Sequence, residues 1–118
     1  MRLRDKRILI VEDEPLVAMD IQFSIEKAGG TVGGPAASCD SAFAVLREFP
    51  VHAAILDFNL AEGDSTAVAE ALDAKRIPIL FYTGGGIVNT VRDRWPHVRV
   101  LMKPCRPGSI IDALQQVL

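Results

Sequence analysis

The chain has 118 residues, 49% of them apolar and 24% charged, a length and balance that suit one domain burying about two thirds of its unfolded surface. A net charge of −2 gives no basic field to attract nucleic acid or an anionic membrane surface. Apolar runs such as Ile8-Leu9-Ile10-Val11 fall far short of the ~20 residues a membrane span needs, and the basic stretch 1–7 leads into too few apolar residues for a signal peptide.

Cys39 and Cys105 form no CxxC pair, and with only His52 and His97 for company they make neither a disulfide framework nor a zinc site. These features fit a reducing cytoplasm and two inert thiols. Both histidines read as surface residues.

In chain order, Ile8-Leu9-Ile10-Val11 reads as a strand buried on both faces, stopped by Glu12-Asp13-Glu14-Pro15. Pro15 suits the first turn of a helix, and the acids before it suit a positive helix N-terminus. Val17, Ile21, Ile25 and Ala28 recur at helical spacing until Gly29-Gly30 ends the pattern. A short second strand over 31–34 follows. Ser38 is the expected N-cap of a helix with Ala42, Val45, Leu46 and Phe49 on one face, closed by Pro50. The third strand, 53–57, is apolar until its last residue, Asp57. A polar loop over 59–64 then leads to a helix over about 65–75. A fourth strand, 78–82, ends at Thr83 and three glycines, 84–86, which read as a flexible loop. A short helix around 88–95 (Ile87, Val91, Trp95) comes next, with Trp95 a packing residue. A fifth strand over 98–102, Lys103-Pro104 and an amphipathic helix carrying Ile110, Ile111, Leu114, Val117 and Leu118 complete the order. Five strand–helix alternations with short links specify an α/β domain with a parallel, doubly wound sheet and right-handed crossovers.

The polar residues fall where that architecture makes them neighbours. Glu12 and Asp13 follow strand one, Asp57 ends strand three, Thr83 follows strand four and Lys103 follows strand five. Carboxyl ends of parallel strands share one edge, where open α/β folds bind ligands. Three crowded carboxylates repel one another unless a cation joins them, and Mg²⁺ suits a site with few carboxylates and room for water. Lys103 adds a point charge and Thr83 a hydroxyl. A carboxylate nucleophile, a metal, a cation and a hydroxyl donor are the parts of phosphoryl transfer.

The segments Ile-Leu-Ile-Val-Glu12-Asp13-Glu-Pro, Ala-Ile-Leu-Asp57-Phe-Asn-Leu, Phe-Tyr-Thr83-Gly84 and Met-Lys103-Pro104 resemble the response-regulator receiver domains of bacterial two-component systems, over essentially the whole chain. The resemblance implies a flavodoxin-like five-stranded sheet in the order 2-1-3-4-5. It also implies a single receiver over 1–118 without an output domain, and a signalling protein rather than an enzyme. Asp57 would accept a phosphoryl group from a sensor histidine kinase or a histidine phosphotransferase. Asp13 and Asp57 would hold Mg²⁺, with Glu12 acting through water and the backbone carbonyl of Asn59 completing the site. Thr83 and Lys103 would hold the phosphoryl oxygens, and the Lys103–Pro104 bond would be cis. A downstream protein would dock on the face of helix four, strand five and helix five, the chain being a monomer or weak homodimer.

Many receivers carry an aromatic switch residue three positions before the lysine, and Val100 stands there. Phe81-Tyr82-Thr83-Gly84-Gly85-Gly86 is similar in part to the Phe-Ala-Thr-Gly-hydrophobic-Tyr motif of an alphaproteobacterial subgroup that also lacks that aromatic. Tyr82 replaces its alanine, and two glycines replace its last residues. Three other readings compete. A haloacid-dehalogenase-type phosphatase needs a second acid at position 59, where the chain has asparagine. A pseudo-receiver works without phosphate; the intact acids, Thr83 and Lys103 argue against it, and the missing aromatic keeps it open. A flavin or nucleotide carrier on the same fold lacks a phosphate-binding loop after strand one.

Overall fold

The computed structural model describes residues 2–118. Strand β1 (Arg7–Val11) pairs in parallel with β2 (Thr31–Ala36) on one side and β3 (Ala53–Leu56) on the other, and β3 continues through β4 (Ile79–Thr83) to β5 (Arg99–Met102). The sheet order is therefore 2-1-3-4-5. Helices α1 (Pro15–Lys27), α2 (Cys39–Glu48), α3 (Thr66–Ala74) and α4 (Val88–Arg94) make the four crossovers, and α5 (Pro107–Val117) follows β5.

Because side chains alternate along a strand, each strand feeds two cores. Leu9, Val11, Leu56 and Phe81 point to one face, packing with Ala42, Val68, Leu72, Val91 and Trp95 from α2, α3 and the α4 end. Ile8, Ile10, Ile55, Leu80 and Tyr82 point to the other, against Ile21 and Ile25 of α1 and Ile110, Ile111 and Leu114 of α5. The central strands are buried on both faces, which is why they read as unbroken apolar runs. Trp95 is a packing residue, its ring 5.2 Å from that of Phe81.

Local chemistry sets the element ends. Pro15 opens α1, and Gly29 adopts φ 93° after its last turn, a conformation that strains any residue with a Cβ. Ser38 caps α2 in a reciprocal box with Ser41. Lys103–Pro104 is cis, as is Gly34–Pro35.

Three expectations need correction. The loop over 59–64 contains a small antiparallel ribbon, Asn59–Leu60 with Gly63–Asp64, because Leu60 turns inward to the core and draws the backbone into register. The triglycine segment is not open loop throughout. Gly85–Ile87 form one 3₁₀ turn running directly into α4, with Ile87 packed on the first core. Strand β2 also runs two residues past the expected end, with a register break opposite Leu9 and Val11.

Candidate functional site

The ladder hydrogen bonds carry the site residues beyond the strand ends. The Glu12 N–H donates to the Ala36 carbonyl (2.8 Å), that of Asp57 to Val11 (2.9 Å) and that of Lys103 to Thr83 (2.8 Å). Four segments thus arrive at one edge with their backbones already paired, so little freedom is left to their side chains.

Asp57 lies at the centre, 8% exposed. Thr83 Oγ1 donates to its Oδ1 (3.1 Å), and Lys103 Nζ donates to its Oδ2 (2.9 Å). Lys103 Nζ also meets Glu12 Oε1 at 2.5 Å and Glu14 Oε1 at 3.3 Å. Asp13 is half-buried, and oxygens of Glu12, Asp13 and Asp57 all lie within 4.8 Å of one another. Asn59 and the exposed Gly84 and Gly86 border the same cleft, of about 440 Å³. Every residue named from the sequence for this edge is therefore at it.

The electrostatics follow from burial. Glu12 is almost fully enclosed, and burial raises its carboxyl from the ordinary 4.5 to about 7. Lys103 opposes this by hydrogen bonding, while the charge of Asp57 adds to it. For Lys103 burial disfavours the ammonium, yet its hydrogen bonds to Glu12 and Asp57 outweigh that and hold it above its ordinary range. One ammonium meets three carboxylates, those of Glu12, Asp57 and the exposed Glu14, and Asp13 adds a further negative charge beside Glu12 and Asp57. The donor set is all hard oxygen, carries excess negative charge and opens to solvent on one side. These residues fit a hard divalent cation.

Sequence reasoning missed two participants. Glu14, read as a helix-dipole acid, sits at the N-cap of α1 and reaches Lys103 without capping the helix. Tyr82, noted only as a motif departure, accepts a hydrogen bond from the Cys105 N–H (3.2 Å) and places its ring 5.6 Å from Lys103 Nζ. Its position directly before Thr83 was the available signal. Val100 pairs with Phe81 on β4 and packs half-buried against the first core, away from Asp57's hydrogen bonds. Cys39 and Cys105 are free thiols. His52 is not a plain surface residue, since its Nδ1 accepts the Arg7 N–H (2.9 Å), whereas exposed His97 pairs with Asp73 (2.8 Å). Among the described residues no helix is long and apolar enough to cross a membrane.

Comparison with protein families matches residues 8–115 to the response regulator receiver domain. The chain belongs to that family. This receiver is 32% identical over 114 residues to the phyllosphere-induced regulator PhyR of Methylorubrum extorquens, covering 94% of this chain and 43% of that protein. The crystal structure of PhyR from Brucella abortus superposes with a TM-score of 0.85 at 30% identity, over 99% of this chain and 49% of that one. The receiver thus spans less than half the length of these PhyR relatives. The solution structure of SdrG from Sphingomonas melonis matches nearly end to end, covering 99% and 98% of the two chains at 40% identity and a TM-score of 0.81. As a member of this family the receiver is a signalling domain.

Proposed function

We propose that the receiver accepts a phosphoryl group on Asp57 in a Mg²⁺-dependent reaction and passes the signal on by protein contact. One observation carries the reading: a buried carboxylate at the cleft floor has a cation on one oxygen and a hydroxyl donor on the other, Lys103 Nζ at 2.9 Å and Thr83 Oγ1 at 3.1 Å. That is the donor pair a transferring phosphoryl group needs.

A carboxylate oxygen of Asp57 attacks the phosphorus of a phosphohistidine donor. The P–N bond breaks, the imidazole leaves with its electron pair, and Asp57 becomes an acyl phosphate. Lys103 then shifts its ammonium from the carboxylates to a phosphoryl oxygen, and Thr83 redirects its hydroxyl from Asp57 Oδ1 to another. Mg²⁺ held by Asp13, Asp57 and the Asn59 carbonyl, with Glu12 acting through water, would neutralise charge on the phosphoryl oxygens. Phosphohistidine of a kinase or histidine phosphotransferase is the natural donor. The output face is that of α4, β5 and α5, where Met102 is 57% exposed.

The test is acetyl phosphate as donor, with intact mass followed with Mg²⁺ and with a chelator. The expected result is one phosphoryl adduct with Mg²⁺ and none with the chelator. No adduct in either condition would favour a phosphate-independent interaction module, and an adduct with the chelator would remove the metal from the reaction.

A further inference from the structure

The chain's single tyrosine is buried where the site lysine begins its turn toward α5. Resting on the phosphoacceptor reading above, we infer that Tyr82 is a positioning residue for Lys103: it sets where the ammonium stands over Asp57 without itself touching the reacting atoms.

Lys103 has a long, flexible stem and three carboxylates within reach of its Nζ, those of Glu12, Glu14 and Asp57. Charge alone does not choose among them, and Glu14 is exposed, so it can draw the ammonium out of the cleft at little desolvation cost. The choice must come from how the lysine backbone and stem are held. On the strand side, the Lys103 N–H is fixed to the Thr83 carbonyl (2.8 Å). On the other side the chain leaves the sheet, and the anchor there is the Tyr82 phenol, which accepts the Cys105 N–H two residues later (3.2 Å). Between the two anchors the ring of Tyr82 lies 5.6 Å from Nζ, within the range in which an aromatic face attracts an ammonium. The same side chain therefore fixes the lysine's exit and offers its head a resting face on the side of the α1–α5 core.

A tyrosine on this strand has an apolar role as well, since Tyr82 packs in the α1–α5 core. Packing accounts for the ring. It does not account for a hydroxyl carried into that core, which costs free energy unless it is paired and finds its partner on the segment that carries Lys103.

Tyr82→Phe separates the two roles, because it keeps the ring and the packing and deletes only the acceptor. Three quantities are compared with the native chain: the rate of phosphorylation by acetyl phosphate, the affinity for Mg²⁺, and amide exchange at Cys105 without metal. The expected result is a phosphorylation rate lower by about three- to tenfold, the size of one neutral hydrogen bond. Cys105 exchange should quicken by a similar factor, with Mg²⁺ affinity within about twofold of native since the lysine is no ligand. An unchanged rate overturns the inference, and so does a rate that falls in step with Mg²⁺ affinity, which marks general loosening of the fold. Should the variant not fold, Lys103→Met in the metal-free protein gives the second reading. The near-UV signal of the only tyrosine must move when its ammonium neighbour is removed, and a static signal overturns the inference. A native chain that takes no phosphoryl group, with the Cys105 and near-UV effects intact, instead marks failure of the parent reading, and the positioning role in that reaction falls with it.

Discussion

At the carboxyl edge of the sheet, Glu12, Asp57 and Thr83 are buried against Lys103, whereas at the amino edge the paired charges of Asp73 and His97 stand in water, 41% and 61% exposed. Both edges terminate the same five strands and are joined to the same helices. The amino edge follows the ordinary rule that charge stays solvated, where an ion pair contributes little. The carboxyl edge breaks that rule twice within one cleft, at Glu12 and Asp57. Burying like charges costs stability, so the fold tolerates there what only function requires.

Removing the one cation at the carboxyl edge should sharpen that contrast most. Lys103→Met leaves two enclosed carboxylates without their ammonium. The metal-free protein should lose about 2 kcal/mol in denaturant unfolding, below the ~3–5 kcal/mol of a fully enclosed pair because the cleft admits water. An equally stable variant would mean the site is not strained.

Asp13→Asn should act in the opposite direction. Asp13 has no ion pair among the described residues, so its charge mainly repels Glu12 and Asp57. The metal-free variant should be more stable by about 1 kcal/mol, and Mg²⁺ should raise its melting temperature much less than that of the native chain. A destabilised Asp13→Asn protein would break the comparison.

The smallest effect belongs to the amino edge. Burial and the charges of Arg7 and Lys6 hold His52 below its ordinary pKa of 6.5, and its Nδ1 accepts the Arg7 N–H. The folded state then binds fewer protons than the unfolded state, so this stabilisation is present above pH 6.5 and is lost as pH falls through the depressed value. His52→Ala should flatten the stability profile of the metal-free protein in that window, by well under ~1 kcal/mol. A profile unchanged by the substitution would assign no linkage to His52.

Most of this edge was legible in the sequence because strand ends are. An apolar run that stops at an acid, a threonine or a lysine marks both the element and its chemistry, and parallel order turns four such stops into neighbours. Asp57, Thr83 and Lys103 were readable in this way. The contact of Lys103 with Glu14 was not, because a first-turn acid looks the same in sequence whether it faces solvent or a cleft. Tyr82 was seen as an exception to a motif, but its partner is a backbone N–H, and no residue type announces that. The ribbon at 59–64 was hidden for a similar reason. Two-residue strands have no periodicity to read, and only the burial of Leu60 explains the pairing. The glycines at 84–86 suggested freedom, but the pull of Ile87 into the core winds two of them into a turn.

On the proposed function, the crowded edge serves to place Asp57 under an incoming phosphoryl group. The most direct test of that role is intact mass after the native chain and Asp57→Asn are incubated with Mg²⁺ and acetyl phosphate, with folding of both verified by melting. The native chain should take one phosphoryl adduct and the variant none. An adduct of equal extent on Asp57→Asn would contradict that role.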